Sequence, residues 1–362
     1  MKYTILLCLF SLFFLPQING QEFVKPNVII FYADDLGWQD TELDYIGGTA
    51  VFAETPNMLS LAAQGAQFSQ AYAPAPTCAP SRAAMLSGRH PVKTTLIQVS
   101  GGKAPGLERN KTDRKLIGAF NPERMQEEEF TLAEALNPAG YVSAHIGKWH
   151  IAGANGFPEA IHQGFDEQSV SRGVHRNMGN RFEGYATDAA DDPYRIGADG
   201  KPFDSLTEDA LEFMKKNKSE PFFLYMATYL VHTPIQTRDL ALLTHYCNKL
   251  GIEVPTEDTD ITTGGHTNPY YGAMVSTLDW SLGKVIDYLE ATEDPRNPGK
   301  TLFETTYIIF SSDNGASEND GAEIVTDNFP LDQGKKYAQE GGIRVPMVIA
   351  GPNIPKGETK DV

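Results

Sequence analysis

The stretch Asn27-Val28-Ile29-Ile30-Phe31-Tyr32-Ala33 is a nearly continuous apolar run, rich in β-branched and aromatic side chains. This composition is typical of a strand buried on both faces of a parallel sheet. The run ends in Asp34-Asp35, and adjacent carboxylates repel each other unless a cation lies between them. Ligands bind at the carboxyl ends of strands in open α/β sheets, so the pair is a candidate cation site. A solvated turn is the alternative interpretation.

Further apolar runs predict more strands, and segments with helical spacing separate them. The predicted strands cover residues 141–146, 221–227, 306–312 and 345–350, and the predicted helices cover 56–64, 131–136, 205–216 and 268–290. Thr55 is expected to cap the first helix, because Thr is favoured at the N-cap and Pro at the first helical position. The alternation predicts an α/β fold with a mainly parallel, mixed central sheet sandwiched by helices.

A second informative stretch, Pro76-Thr77-Cys78-Ala79-Pro80-Ser81-Arg82, leads into a helix-forming run that ends at Gly88. The prolines before it favour an extended approach, so Cys78 is expected near the first turn of a helix. Unpaired N–H groups and the helix dipole favour negative charge there. Arg82 follows one turn later and can face the same side. The pattern indicates an anion-handling site with a potential nucleophile.

The 362 residues carry a formal net charge of −17, which argues against a nucleic-acid partner because nucleic acids favour basic surfaces. Residues 1–20 have the pattern of a signal peptide, with Lys2 before an apolar run over residues 5–15. That run is too short to span a membrane. We therefore expect an exported protein, periplasmic or secreted, without a membrane span.

Removal of this leader leaves two cysteines, Cys78 and Cys247. In an oxidising compartment the two thiols could form a disulfide, and the sequence leaves this pairing open. A structural cysteine in a loop is therefore the alternative to a reactive Cys78.

The segment Cys78-Ala79-Pro80-Ser81-Arg82 resembles the signature of the type I, formylglycine-dependent sulfatases of the alkaline phosphatase superfamily. Leu86-Ser87-Gly88-Arg89 follows where that family carries a similar segment. Other stretches that resemble family motifs, in family order, are Asp34-Asp35, Gly147-Lys148-Trp149-His150, His232-Thr233-Pro234, Asp313-Asn314-Gly315 and residues 334–346. The resemblance covers essentially the whole mature chain.

The resemblance implies an alkaline-phosphatase-like catalytic α/β domain over residues 21–362, after the signal peptide. The family usually continues into a smaller C-terminal subdomain, whereas this sequence stops at Val362. We therefore expect a domain that is truncated at its C-terminus.

Asp313 and Asn314 follow a predicted strand, as Asp34 and Asp35 do, so the four side chains are expected to form one metal site. Oxygen ligands without histidine or thiolate select Ca²⁺ or Mg²⁺ over zinc or copper. The resemblance favours Ca²⁺ over Mg²⁺ and adds residue 78, in its modified form, to the ligands.

The resemblance also implies that a formylglycine-generating or sulfatase-maturating enzyme oxidises Cys78 to formylglycine. The hydrated aldehyde would attack sulfur, with Arg82 among the cations that bind the sulfate. His150 is the implied base that releases sulfate from the enzyme. Lys148 lies two residues before His150, so the two side chains point the same way if the segment is extended.

Two further residues are implied to contact the sulfate ester. His232 belongs to the His-Thr-Pro motif, and Lys335 is assigned by its spacing from Glu340-Gly341-Gly342, with Lys336 as the alternative. Either His232 or Lys335 would protonate the leaving alcohol.

The implied function is the hydrolysis of sulfate monoesters, and export favours a sulfated carbohydrate as the substrate. Loop insertions shape the substrate cleft in this family, so Arg172, His175 and Arg176 are candidate substrate-binding residues, with a plain surface loop as the alternative. A phosphoryl or phosphonyl monoester hydrolase of the same superfamily is a rival, because such a site recognises any tetrahedral anion. A non-catalytic binder of sulfated glycans, with Cys78 unconverted, is another.

Overall fold

The structure, a computed structural model, describes residues 24–43, 45, 51–99, 121–153, 156–262 and 264–361. The predicted signal peptide therefore lies outside the described residues. The strands are β1 (Asn27–Ala33), β2 (Gly65–Phe68), β3 (Ala71–Tyr72), β4 (Val142–Gly147), β5 (Glu167–Ser169), β6 (Phe222–Ala227), β7 (Thr306–Ser312), β8 (Asn319–Asp320), β9 (Glu323–Ile324), β10 (Arg344–Val345), β11 (Met347–Ala350) and β12 (Glu358–Lys360).

The α-helices include one long element and several short ones. They are α1 (Pro56–Gln64), α2 (Cys78–Ser87), α3 (Pro91–Thr94), α4 (Leu132–Leu136), α5 (Ser205–Asn217), α6 (Leu240–Leu250), α7 (Pro269–Ala291) and α8 (Glu340–Ile343). None of the helices in the described ranges combines the length and the apolar character that crossing a membrane requires.

Within the described ranges, eight strands form one sheet in the order β12-β2-β11-β7-β1-β6-β4-β5. Strands β7, β1, β6, β4 and β5 run parallel to one another, whereas β11 is antiparallel to both of its neighbours. The mainly parallel, mixed sheet predicted from the sequence is therefore confirmed. The run 345–350 is divided between two sheets, because β10 pairs with β3 and β11 pairs with β7.

Helices cover both faces of the sheet, because successive side chains along each strand point to opposite faces. Along β1, Ile29 and Phe31 join one hydrophobic core, and Ile30 and Tyr32 join the other. Helices α1, α5, α6 and α7 pack in the first core, and α2 and α4 pack in the second. The apolar stripe of α7 is core, as its spacing predicts.

The carboxyl ends of the central parallel strands meet at one edge of the sheet. Ala33 at the end of β1 lies beside Ser312 of β7, and Tyr32 lies beside Ala227 of β6. Gly147 at the end of β4 lies on the other side of Ala227. The polar residues that follow these four strands are therefore brought together, although the strands are far apart in the sequence.

The N-terminus of α1 is satisfied by another helix rather than by its own cap residue. Thr55 lies at the N-cap position, but its hydroxyl makes no capping bond and accepts from the Glu42 N–H at 2.8 Å. The carboxylate of Asp279, on α7, accepts from the backbone N–H groups of Asn57 at 3.0 Å and Met58 at 2.8 Å. The expectation that Thr55 caps α1 is therefore wrong.

We expect Asp279→Asn to change how stability depends on pH. Burial raises the pKa of Asp279 to about 6, although its hydrogen bonds to Asn57 and Met58 oppose this. Because the folded-state pKa is raised, the stability contributed by this carboxyl is complete below about pH 4 and is lost as pH rises through about 6. Asparagine cannot titrate, so wild type should lose about 3 kcal/mol relative to the variant between pH 4 and 7.

Denaturant unfolding of both proteins at several pH values measures this difference. Asp287→Asn removes an exposed carboxylate of the same helix and serves as the matched control. A wild-type-minus-variant difference that stays constant across the pH range would contradict the prediction.

Candidate active site

Cys78 is the first residue of α2, and its thiol points toward the carboxylate turn after β1. Thr77 at the N-cap is extended, and the Cys78 side chain is buried, with Sγ 3.8 Å from Asp35 Oδ1. Burial, followed by the negative charges of Asp313 and Asp34, raises the pKa of the Cys78 thiol well above its usual value. The unmodified side chain is therefore a neutral thiol.

Arg82 lies one turn further along α2 and is fully buried. Its Nε and one terminal nitrogen donate to Asp313 Oδ2 at 2.9 and 2.6 Å, and the other terminal nitrogen donates to the Lys148 carbonyl at 3.0 Å. The guanidinium also lies 3.5 Å from Asp34 Oδ1. Arg82 therefore connects three of the polar strand ends.

The turns after β1 and β7 are bonded directly to each other. The N–H of Asp35 donates to Asp313 Oδ1 at 3.2 Å, and the Asn314 amide donates to Asp35 Oδ1 at 2.7 Å. Asp35 has φ of 63°, a left-handed conformation that is uncommon for a residue with a side chain. The surrounding hydrogen bonds hold Asp35 in this conformation.

Ser312 is a positioning residue that the sequence analysis did not identify. Its buried hydroxyl accepts from the N–H of Leu36 at 2.9 Å and donates to the carbonyl of Asn314 at 2.9 Å. It therefore joins the turn after β1 to the turn after β7. Its place at the end of a predicted strand was visible in the sequence, but its partner was not.

Asp40 and Tyr271 support the same turn from the other side. The buried Asp40 carboxylate accepts from the N–H of Gly37 at 2.8 Å and from the Tyr271 hydroxyl at 2.6 Å. That hydroxyl also lies 3.4 Å from the carbonyl of Asp35. The sequence suggested only a core position for Tyr271, on the apolar stripe of α7, and gave no signal for this contact.

Two ammonium groups and one imidazole lie against the carboxylates after β1. Lys148 Nζ lies 2.5 Å from Asp34 Oδ2, and Lys335 Nζ lies 2.6 Å from Asp35 Oδ2. The Nε2 atom of His232 lies 3.6 Å from the same Asp35 oxygen. Lys336 is exposed, so the structure places Lys335 rather than Lys336 in the site.

The loop that carries Lys335 is fixed against the site by backbone contacts. The N–H of Lys335 donates to the carbonyl of Ala316 at 2.8 Å, and that of Lys336 donates to Pro76 at 2.8 Å. Gly315 donates to the Gly342 carbonyl, and a Cβ at Gly315 would lie 1.8 Å from the carbonyl oxygen of Gly341. Glycine is therefore required at 315 for the two segments to approach.

Burial and charge act in opposite directions on the carboxyl groups. Burial alone would raise the pKa of Asp34, but Lys148 and Arg82 outweigh it and hold the pKa well below the usual range. For Asp313 burial prevails over Arg82 and raises the pKa to about 7. The two groups differ because Asp34 contacts two cations and Asp313 contacts one.

The oxygen donors of this site, from Asp34, Asp35 and Asn314, suit a hard divalent cation, whereas the nearby sulfur of Cys78 and nitrogen of His232 are softer donors. One ligand atom from each of Asp34, Asp35, Cys78 and His232 lies within 4.8 Å of all the others. Asp34 Oδ1 and Asn314 Oδ1 are buried and have no hydrogen-bond partner among the described residues. Buried oxygens without a donor are expected to find a partner, and a bound cation would provide it.

The structure brings together nine of the residues that the sequence predicted. They are Asp34, Asp35, Cys78, Arg82, Lys148, His232, Asp313, Asn314 and Lys335. The geometric cluster contains the imidazole of His232, whereas both oxygens of Asp313 are engaged by Arg82 and by the Asp35 N–H.

His150 differs from the expectation based on an extended segment. Strand β4 ends at Gly147, whose φ is 105°, and His150 itself has φ of 60°. Lys148 is buried and paired with Asp34, whereas His150 is exposed. Partial desolvation, then the nearby cations Lys148 and Arg82, lower the pKa of His150 to about 3, so it is neutral at neutral pH.

The three candidate substrate-binding residues occupy different environments. Arg172 and Arg176 are exposed, whereas His175 is buried. Burial is the main cause that lowers the pKa of His175 to about 4. A buried neutral imidazole cannot reach a substrate in the cleft, so the structure argues against direct contact by His175. The assignments of Arg172 and Arg176 stay predictions.

Cys78 and Cys247 are not bonded to each other. Both Cys78 and Cys247 are free and buried, and Cys247 lies on α6 within the core formed with α7. The disulfide that the sequence left open is therefore absent from the structure.

Comparisons with known proteins agree with this fold and site. A family model described as Sulfatase matches residues 26–362. N-acetylgalactosamine-6-sulfatase of Canis lupus familiaris is 30% identical over 351 residues, covering 92% of this chain and 58% of that protein. N-acetylgalactosamine-6-O-sulfatase of Bacteroides thetaiotaomicron is 28% identical over 402 residues, covering 92% of this chain and 69% of that protein.

Solved structures with a similar fold include two that are at least 25% identical to this chain. The crystal structure of Ps i-CgsB in complex with k-i-k-neocarrahexaose has a TM-score of 0.65 and 26% identity, covering 93% of this chain and 68% of that chain. PsFucS1 sulfatase from Pseudoalteromonas sp. has a TM-score of 0.61 and 25% identity, covering 93% of this chain and 64% of that chain.

An α/β sheet with a cluster of carboxylates and basic side chains at its carboxyl edge, together with these matches, defines the class. The chain belongs to the sulfatase family, and the resemblance to type I sulfatases with an alkaline-phosphatase-like fold is confirmed. It spans 58% of the length of the Canis relative.

We expect Ser312→Ala to weaken Ca²⁺ binding about tenfold, as loss of an outer hydrogen bond at a metal site does. The variant loses the bond that joins Leu36 to Asn314, so the oxygen ligands on the two turns are no longer held together. Calorimetric titration of chelator-treated protein with Ca²⁺ measures the affinity. Thermal unfolding verifies that the variant is folded.

Ser311→Ala is the matched control, because Ser311 is the preceding residue of β7 and faces the opposite side of the sheet. Equal Ca²⁺ affinities for wild type and Ser312→Ala would contradict a positioning role for Ser312.

Proposed function

We propose that this protein is a sulfatase that hydrolyses sulfate monoesters of a sulfated carbohydrate. The nucleophile is formylglycine at position 78, and Ca²⁺ is held by Asp34, Asp35, Asp313, Asn314 and the modified residue 78. Mg²⁺ is the second choice for the cation. The residues 21–362 form the catalytic α/β domain in this proposal.

One observation carries the proposal: the thiol of Cys78 lies at a cluster that contains both carboxylates and cations. Asp35 is 3.8 Å from Sγ, and Arg82, Lys148 and Lys335 surround the same carboxylates. Carboxylates that bind a cation and basic side chains that bind an anion are both needed to hold a sulfate ester. A structural cysteine in a loop would require neither group.

The neutral thiol is a poor nucleophile in its present surroundings. Three carboxylates, those of Asp34, Asp35 and Asp313, disfavour a thiolate at Cys78. Conversion to formylglycine supplies hydroxyl groups on a hydrated aldehyde, which can attack sulfur and later release sulfate. Ca²⁺, when bound, supplies positive charge next to the attacking oxygen and the sulfate. The conversion requires a maturating enzyme as a partner.

The cations have a separate task from the metal ligands. The guanidinium of Arg82 and the ammonium groups of Lys148 and Lys335 lie in partly or fully buried positions, where they neutralise the charge that develops on sulfate oxygens. They are fixed by the carboxylates before the substrate binds, so little reorganisation is needed during the reaction.

His232 is the better proton donor of the two candidates. Its Nδ1 lies 2.8 Å from the carbonyl of Thr233, which leaves Nε2 to exchange a proton with the leaving alcohol. Burial is outweighed by the charge of Asp35, which raises the pKa of Lys335, so that ammonium is a poor proton donor.

Partial desolvation, then Lys148 and Arg82, lower the pKa of His150 in the free protein, and the negative charge of bound sulfate would raise it. The exposed imidazole is then the base that accepts a proton when sulfate is released.

A sulfated carbohydrate is the proposed substrate class. The relatives named above are N-acetylgalactosamine-6-sulfatases, and a structural neighbour is in complex with k-i-k-neocarrahexaose. The leader at residues 1–20 supports export to the periplasm or the exterior, where polysaccharides are found. Arg172 and Arg176 are the exposed side chains proposed to contact the sugar.

The mass of the proteolytic peptide that contains Cys78 tests the nucleophile. In protein produced with a sulfatase-maturating enzyme, we expect the mass change of a thiol replaced by an aldehyde. Cys78→Ala should lower sulfate release from sulfated saccharides by at least about 10³-fold, since it removes the nucleophile. Cys247→Ala is the matched control and should retain activity. An unmodified Cys78 thiol in active protein would overturn the formylglycine assignment.

Matched aryl sulfate and aryl phosphate esters test the choice of anion. We expect a higher kcat/KM for the sulfate, because the family model that matches this chain is that of the sulfatases. A clear preference for the phosphate would favour the phosphoryl or phosphonyl hydrolase instead. Retention on sulfated polysaccharide with no sulfate release, even when a maturating enzyme is produced with the protein, would favour a non-catalytic binding protein with Cys78 unconverted.

A further inference from the structure

Arg172 is held on an aromatic ring at the edge of the sheet that carries the site. Its guanidinium carbon lies 4.4 Å from the centre of the Tyr229 ring. Stacking of this kind occupies the face of the guanidinium and leaves its N–H edge free to donate to an oxyanion. The side chain is exposed, and it forms no ion pair within the described part of the chain.

The topology places Arg172 at the carboxyl edge of the parallel strands, the edge at which Cys78 contacts Asp35. Arg172 follows β5, which runs parallel to β4, so it lies beyond the carboxyl end of its strand. Tyr229 follows β6 in the same way and accepts from the N–H of His232 at 3.1 Å. The carbonyl of the next residue, Leu230, accepts from the N–H of Asp34 at 2.9 Å. The platform of Arg172 is thus continuous with the segment that carries His232.

The loop around Arg172 is anchored by buried groups. The N–H of Val174 donates to the carboxylate of Asp204 at 2.9 Å, and Arg238 donates to the carbonyl of Val174 at 3.1 Å. His175, which follows, is buried and donates its N–H to the carbonyl of Arg172 at 3.1 Å. These contacts fix the backbone, so the position of Arg172 is set before any ligand binds.

An unpaired, fixed arginine is notable in a protein with a net charge of −17. Other arginines with an aromatic platform use their N–H groups internally: Arg181 pairs with Glu323, and Arg238 donates to three backbone carbonyls. Arg172 has the same kind of platform but no such partner among the residues that the structure describes. Its N–H edge is therefore available to an anion from outside the chain.

We propose that Arg172 and its Tyr229 platform form a subsite for a second negatively charged group of the substrate. This group is a carboxylate or a further sulfate on the sugar next to the one that carries the cleaved sulfate ester. The inference rests on the proposed function, and it narrows the substrate class to saccharides with at least two anionic groups. Among the described residues no contact joins Arg172 to Cys78 or to the carboxylates around it, so the subsite acts mainly on binding and therefore on KM.

Binding to full-length Cys78→Ala protein tests the subsite without turnover. The probes are a disaccharide with one sulfate ester and one carboxylate on the adjacent sugar, and the same disaccharide with the carboxylate reduced to an alcohol. Calorimetry gives the two Kd values. We expect about tenfold tighter binding of the carboxylate form, and a ratio near one after Arg172→Gln. The ratio should also fall at high salt, since the site is exposed.

Three further variants separate the effect of the aromatic platform from a general loss of charge. Tyr229→Leu removes the ring and should lower the ratio of the Kd values, whereas Tyr229→Phe keeps the ring and should preserve it. Lys300→Gln removes an exposed positive charge before β7, at the opposite edge of the sheet, and should leave the ratio unchanged. A third disaccharide, with a second sulfate in place of the carboxylate, identifies the preferred oxyanion.

The outcomes distinguish this inference from the proposed function. Equal Kd values for the two disaccharides, no binding of either, or an unchanged ratio in Arg172→Gln would each overturn the subsite. Sulfate release by converted wild-type protein is measured separately on both disaccharides. Its absence, with the binding preference intact, would refute the sulfatase activity and leave the anion subsite standing.

Discussion

Three carboxylates buried at one edge of a parallel sheet are the constraint on which the rest of this structure depends. Asp34 and Asp35 lie on the turn after β1, and the N–H of Asp35 donates to the carboxylate of Asp313 on the turn after β7. Repulsion among the three carboxylates would cost free energy without compensating positive charge. Arg82 and Lys148 provide part of that charge from α2 and from the end of β4. The segments around the site are arranged so that these cations contact the carboxylates.

The same requirement explains the second layer of contacts. The backbone of the turn after β1 is hydrogen-bonded by the side chains of Ser312, Asp40 and Tyr271. These three residues are not themselves proposed metal ligands. They hold a strained Asp35 in place, and a group with fixed geometry binds a cation or an anion with less reorganisation. An acidic protein that recognises an anion must concentrate its positive charge locally, and these contacts fix where that charge lies.

The sequence predicted the central sheet because apolar runs such as 27–33 are a local signal with a simple physical meaning. It also predicted most of the site, since polar residues that directly follow parallel strands must meet at the same edge. This reasoning, from the composition of each segment and the order of the strands, found Asp34, Asp35, Asp313 and Asn314. Motifs that resemble those of a known family identified Cys78, Lys148, His232 and Lys335.

Other features depended on partners that lie far away in the chain. Thr55 had the local signal of a cap, yet Asp279, more than two hundred residues away, accepts the free N–H groups of α1. Likewise, burial removed His175 from the cleft, and a left-handed backbone turned His150 away from the expected extended path. The sequence by itself determined the strands and the chemistry at their ends, because both are encoded within single segments. The tertiary structure alone decided which groups are buried, capped or positioned, because each of these depends on packing between distant segments.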